Sequence, residues 1–347
     1  MGFLDFKGET GERSASARAA RRENENDGMR LTQPLLQLPI HFDANALAAE
    51  VQALPDSAWD PHPTGFVGNE AVRLVTPHGE LTDAIEGPMA PTEHLRRCPS
   101  IMKVMSELGG VWGRSRLMAL APGAEVPAHV DAHYYWRTHL RIHIPVITNP
   151  GVVFTCGDRT VHMAAGECWV FDSFRWHDVQ NKGADRRIHL VLDTVGGERI
   201  SGLVEAAEAG APAPTIAAGG ELVFERINAP EVMSPWEIRC HLAFLADQAV
   251  PNPLLERVLR RLDRFVDAWA AAWARFGTDG EGAPAYRSLI AAAKRDLLAL
   301  GGARLILRNE LQLLVVLDQL VFQMAMAPPA EPLRAAARRS GEQRLAS

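Results

Sequence analysis

Residues 137–144 read Arg-Thr-His-Leu-Arg-Ile-His-Ile, with long polar side chains alternating with smaller or apolar ones. A period of two is that of a strand with one buried face. Arg137, His139, Arg141 and His143 are therefore expected on one side, and Thr138, Leu140, Ile142 and Ile144 on the other. The same texture recurs around this stretch. Residues 115–120 (Ser-Arg-Leu-Met-Ala-Leu) run into the turn Ala121-Pro122-Gly123-Ala124, and further strands are predicted over 152–156, 168–171 and 187–193. Many short strands broken by turns predict a jelly-roll or cupin-like core, whose interior can hold a ligand.

Moving outward, a helix is predicted over 44–54 with Asp43 as its N-cap, and a shorter one over 100–108. Residues 1–30 carry too few large apolar groups to offset the entropy of ordering and read as a flexible tail. The β core is assigned to 31–205, an Ala-, Gly- and Pro-rich linker to 206–222, a helical domain to 223–330 and a basic tail to 331–347. In the helical part Leu255, Val258, Leu259, Leu262, Phe265, Val266, Trp269 and Trp273 mark one amphipathic face, and Leu311, Leu314, Val315, Val321 and Phe322 a second. The fold class that follows is α+β, a barrel-like β core followed by helices.

A chain of 347 residues, 47% hydrophobic and 22% charged, is globular in character, and its formal charge of -6 supplies no basic field for nucleic acid. No uncharged apolar run is long enough to span a membrane, and the first residues lack a secretory h-region, so no membrane role is expected. The four cysteines have no CxxC spacing and fit neither a disulfide framework nor a thiolate zinc site, which points to a cytoplasmic protein.

The chemistry concentrates in the β core. His129-Val130-Asp131 follows the turn at Pro122-Gly123, and His177 follows the strand predicted at 168–171. Two imidazoles and a carboxylate suit a borderline divalent metal such as Fe(II), and they leave coordination positions open for a bidentate 2-oxo acid and dioxygen. Arg187 stands ten residues beyond His177 at the start of an apolar strand, where an inward guanidinium needs an anion. A carboxylate gripped bidentately is the natural one, so Arg187 is the candidate for the distal carboxylate of 2-oxoglutarate. Arg141 and His143 share its polar face, and Ser115 offers a hydroxyl from a neighbouring strand.

Other readings stand beside these. His133 is a rival ligand that Asp131 would then orient. Arg141 and His143 are alternatively partners of structural carboxylates. Trp136, Tyr134 and Tyr135 suit a substrate wall or ordinary packing, Arg116 and Arg137 a substrate carboxylate or a solvated face, and His189 a support for Arg187.

Taken in order, Ser115-Arg-Leu-Met-Ala-Leu-Ala-Pro-Gly, His129-Val-Asp131, Leu140-Arg-Ile-His143, Gly166-Glu167, Phe171-Asp-Ser173, His177-Asp-Val-Gln-Asn181 and Arg187 leading to Asp193 resemble the aspartyl/asparaginyl β-hydroxylase family of Fe(II)/2-oxoglutarate oxygenases, over about eighty residues. The resemblance implies a double-stranded β-helix core. It also implies His129 and His177 as iron ligands, and Arg187, Arg141, His143 and Ser115 as cosubstrate contacts. The family's animal enzymes have glycine at the carboxylate position, whereas this chain has Asp131, as related proline hydroxylases do. The function implied is hydroxylation of an amino-acid side chain, aspartyl, asparaginyl or prolyl, in a peptide or protein. The alternatives are a hydroxylase of a free amino acid or natural-product intermediate, and a non-catalytic cupin-like binding module. The helical domain is a candidate homodimer surface.

Overall fold

The structure, a computed structural model, describes residues 31–63, 65–215 and 219–326. The tails expected at 1–30 and 331–347 lie outside the described residues. In chain order the strands are β1 (Leu35–His41), β2 (Asp60–Pro61), β3 (Asn69–Pro77), β4 (Met89–Pro91), β5 (Val111–Leu120), β6 (Glu125–His129), β7 (Leu140–Ile147), β8 (Val152–Cys156), β9 (Arg159–Val161), β10 (Glu167–Phe171), β11 (His177–Asn181), β12 (Arg187–Thr194) and β13 (Val223–Phe224). Among the described residues one sheet has the order β1-β10-β7-β12-β5-β3-β2, with β4 on β3 and β13 on β5, and a second has the order β6-β11-β8-β9. Strands β5 to β12 pair as nested antiparallel couples: β5 with β12, β6 with β11, β7 with β10 and β8 with β9. Nested couples that alternate between two sheets make a double-stranded β-helix, and with its helices the fold is α+β.

Register decides which side chains look into the barrel, because residues directly opposite one another on paired strands share a face. On β12, Arg187 lies opposite Leu120, His189 opposite Met118 and Val191 opposite Arg116. On its other flank Val191 lies opposite His143, and Asp193 opposite Arg141. These residues form the inner face. The alternate set, Ile188, Leu190, Leu192, Leu117, Ala119, Ile142 and Ile144, belongs to the main apolar core. That core is closed by Leu47 and Val51 of α1 (Ala44–Gln52), Ile101 and Met105 of α3 (Pro99–Leu108), and Ile200 and Leu203 of α5 (Glu198–Glu208). The remaining helices here are α2 (Glu93–Arg96) and α4 (Tyr134–Thr138).

Local chemistry explains the element ends. Asp43 caps α1 by accepting from the N–H groups of Asn45 and Ala46 at 3.0 and 3.1 Å, as expected. Gly166, with φ +84°, opens β10 in a position where a Cβ would collide with the Phe42 carbonyl. One expectation fails at the opening stretch: 134–138 is helical and β7 starts only at Leu140, so Arg137 does not share the strand face of Arg141 and His143. The His133 side chain accepts from the Tyr135 N–H and caps that helix, overriding the alternation.

The chain divides between Asn228 and Ala229, later than the linker expected at 206–222. Helix α5 runs to Glu208, and β13 pairs with β5 in parallel, which ties both segments to the β unit. The second unit contains α6 (Pro235–Gln248), α7 (Leu255–Phe276), α8 (Ala283–Ala299) and α9 (Leu313–Leu317). Val258, Leu262, Phe265, Val266 and Trp269 form the buried stripe of α7, as their spacing predicts. Of the expected second face Val321 and Phe322 are buried, whereas Val315 is 49% exposed and Leu313, Val316 and Leu317 are buried in its place. Among the described residues no helix is long and apolar enough to cross a membrane.

Candidate metal centre

Antiparallel pairing of β6 with β11 sets His129 directly opposite His177, with their ring centroids 4.2 Å apart. Asp131, just beyond β6, is held by a hydrogen bond from its backbone N–H to the Ser173 carbonyl at 3.0 Å. One ligand atom from each of the three side chains falls within 4.8 Å of the others. Nδ1 of His129 lies 2.8 Å from the Pro127 carbonyl, and Nδ1 of His177 lies 2.9 Å from the Arg175 carbonyl. A carbonyl only accepts, so each ring carries its proton on Nδ1 and keeps Nε2 as a lone-pair donor. Burial drives the His177 pKa down to about 4 against the attraction of Asp131, so at neutral pH the ring is an uncharged ligand. Two imidazole nitrogens and a carboxylate fit Fe(II). The expected rival, His133, stands outside this cluster as the cap of α4.

Arg141 turns its guanidinium to two carboxylates. Nη1 donates to Asp131 at 2.8 Å and Nε to Asp193 at 2.8 Å. The alternative reading of Arg141, a bridge between protein carboxylates, thus describes its placement, with Asp131 held in position for a metal. Asp193 is buried, which alone would raise its pKa, yet Arg141 and then Arg114 hold it down at about 2. Arg114 Nε approaches Asp193 to 3.9 Å.

Further along the inner face, Arg187 is 4% exposed and donates from Nη2 to Nδ1 of His189 at 2.6 Å. Burial lowers its pKa to about 9, with no acidic neighbour among the described residues to offset the cost. Among the described residues its Nε has no hydrogen-bond partner, nor has Nδ1 of His143. The His143 ring packs against Phe154, Phe171 and His189, at centroid distances of 5.4, 5.1 and 5.8 Å. A buried guanidinium without a counter-ion is a seat for an anionic ligand.

Ser115 is not part of this pocket. It lies opposite Leu192, on the apolar-core side of β5, and its Oγ donates to the Gly113 carbonyl at 3.2 Å. A shift of one residue reverses the face of a strand side chain. The inward residues of β5 are the neighbouring arginines. Arg116 is 7% exposed, has no carboxylate within ion-pair distance among the described residues, and contacts His62 Nε2 through Nη1 at 3.0 Å. Burial and then the charges of Arg114 and Arg141 lower its pKa well below the ordinary value. From the sequence Arg116 has two readings and Asp193 is named only within the motif that starts at Arg187, while Arg114 and His62 stand outside the motifs. The usable signal was the placement of Arg114 and Arg116 at the same parity as Leu120, opposite Arg187. Trp136 joins this group, its ring 5.6 and 5.7 Å from the guanidinium carbons of Arg114 and Arg141 and its Nε1 unpartnered.

Residues 85–196 match the family described as Aspartyl/Asparaginyl beta-hydroxylase. The L-proline cis-4-hydroxylase of Rhizobium meliloti (strain 1021) is 29% identical over 79 residues, which cover 23% of this chain and 28% of that protein. The match spans under a third of that relative's length. The chain is also similar to an oxidoreductase of the 2OG-Fe(II) oxygenase family from Burkholderia pseudomallei, with 16% identity, a TM-score of 0.35, and coverage of 56% of this chain and 96% of that one. A Pseudomonas putida prolyl-4-hydroxylase shows 15% identity and a TM-score of 0.32, covering 48% of this chain and 94% of that one. The segment from 85 to 196, which contains His129, Asp131, Arg141, His143, His177 and Arg187, is thus similar to the aspartyl/asparaginyl beta-hydroxylase family.

Proposed function

We propose that this protein is an Fe(II)- and 2-oxoglutarate-dependent dioxygenase that hydroxylates an amino acid bearing a free carboxylate. The observation that carries this reading is a pair of imidazoles with fixed Nε2 donors, beside Asp131, on the same barrel interior as a buried guanidinium with no counter-ion. Bound iron and 2-oxoglutarate supply the oxidising chemistry: dioxygen is consumed, 2-oxoglutarate loses CO2 to become succinate, and one oxygen atom enters a substrate C–H bond.

The residues of the chain supply binding and order. His129, Asp131 and His177 hold the metal, and Arg141 restrains Asp131 from behind. Arg187 takes the distal carboxylate of the cosubstrate, with His143 beside it. Leu120, Phe154, Trp169, Phe171 and Val179 cluster in the apolar part of the interior and keep bulk water from the reacting groups.

The substrate class follows from charge. Arg114, Arg116 and Arg141 bring three guanidiniums together; Arg114 and Arg141 face Asp193, and Arg141 also pairs with Asp131. Arg116 has no carboxylate within ion-pair distance among the described residues, and an α-carboxylate or an acidic side chain of the substrate pairs with it. The unpartnered Trp136 Nε1 offers a further donor.

The test is succinate release in the presence of Fe(II), 2-oxoglutarate and a panel of free amino acids and peptides, with products checked for a gain of one oxygen. A substrate carrying a carboxylate is expected to turn over, and Arg116→Met to raise its KM about tenfold or more while uncoupled succinate formation persists. A barrel that only binds partners gives no succinate with any member of the panel.

A further inference from the structure

We propose that His189 is a third donor in the seat of the cosubstrate's distal carboxylate, and that it acts through a tautomer set by Arg187. The inference rests on the dioxygenase reading above and extends it to a residue outside the expected set.

The argument begins with a donor count. A guanidinium has only N–H donors, so its 2.6 Å contact with His189 Nδ1 requires that nitrogen to accept. The neutral ring then carries its hydrogen on Nε2. That Nε2–H is buried and finds no acceptor among the described residues, in a residue only 1% exposed. Leaving a buried donor unmet costs about 1–3 kcal/mol, so such a group calls for a ligand. Two more unpartnered nitrogens share this interior: Nε of Arg187, and Nδ1 of His143, whose ring lies 5.8 Å from that of His189.

Charge supports the same conclusion. Burial, followed by the charges of Arg187 and His143, keeps His189 uncharged by pushing its pKa well below the ordinary value. The seat therefore holds one positive charge, on Arg187, plus neutral donors, which matches a single carboxylate. An apolar residue at 189 would leave Arg187 without the contact at Nη2 and would remove one donor from the ligand. His189 thus both positions the guanidinium and binds the carboxylate, whereas a histidine that only supports Arg187 would not bind the carboxylate.

The test is calorimetric titration of 2-oxoglutarate into protein loaded with Zn(II), a redox-silent stand-in for iron. His189→Leu is expected to weaken 2-oxoglutarate binding about 10- to 100-fold with Zn(II) affinity unchanged, and His189→Gln, which can accept and donate, to recover binding to within about threefold. In wild-type protein with 15N-labelled histidine, the Nε2–H signal of His189 is expected to shift when 2-oxoglutarate is added. Unchanged affinity in His189→Leu overturns the proposal, and so does an Nε2–H signal that does not move in wild type, should the Leu variant fail to fold. Wild-type protein that binds Zn(II) but not 2-oxoglutarate overturns the dioxygenase reading instead.

Discussion

The two faces of the large sheet are equally buried and chemically opposite. On the outer face Leu190 and Leu192 of β12, Ile142 and Ile144 of β7 and Leu117 of β5 are essentially inaccessible and meet the helices through apolar contacts alone. On the inner face the same strands carry Arg187, His189, Asp193, Arg141, His143 and Arg116, most of them less than 9% exposed. Burial by itself therefore says nothing about which face stabilises the fold. Apolar burial returns about 25 cal/mol per Å2, whereas a buried charge is tolerated only when paired, and stays costly until a ligand pairs it. Asp193 and Arg141 are of the paired kind; Arg116 and Arg187 are of the waiting kind.

The sharpest way to break this contrast is Asp193→Ala. It strips the carboxylate from between Arg141 and Arg114 and leaves their charges uncompensated, for an expected loss of about 3–5 kcal/mol. Leu190→Ala, one step away on the outer face, is expected to cost about 2–5 kcal/mol through a cavity. Urea unfolding measures both, and an Asp193→Ala loss below about 1 kcal/mol would show that the inner charges are not held by one another.

The second prediction concerns pH. His143 and His189 are kept uncharged in the folded protein, chiefly by burial, with pKa values well below the ordinary one. The unfolded chain protonates these rings as pH falls through about 6.5, so it binds more protons than the folded chain and stability drops on acidification. Their contribution is fully present above about pH 6.5. In metal-free protein the loss between pH 6.5 and 5 is expected to approach a slope of about 1.4 kcal/mol per pH unit for each ring. His143→Leu should flatten that slope, and an unaltered slope would contradict the assignment.

The smallest expected effect comes from Ser115→Ala, which alters stability by less than about 1 kcal/mol and leaves 2-oxoglutarate affinity unchanged. A tenfold loss of affinity would put Ser115 on the inner face and break the register described here.

These contrasts also explain what was readable in the sequence. His129, Asp131 and His177 were legible as residue types in order, but β6 and β11, whose pairing makes the two histidines cross-strand neighbours, were not among the strands expected. Period two also placed Arg141 and His143 correctly on one face. Ser115 was misplaced because Arg114 and Arg116 flank it, so hydrophobic alternation alone leaves its register ambiguous by one residue. Arg137 was misplaced because α4 repeats a strand-like alternation while being capped by His133, a residue outside the usual capping set. The pairing of Arg141 with two carboxylates depends on Asp193, fifty-two residues away in the chain, and no local pattern contains it.

The most direct test of the central claim is the binding of Fe(II), or Mn(II) as its stand-in, to the full chain under anaerobic conditions. The account predicts one ion per chain for the wild type, and affinity reduced by at least about 100-fold in His129→Ala and His177→Ala proteins that keep the wild-type circular dichroism. Equal stoichiometry and affinity in all three proteins would contradict it.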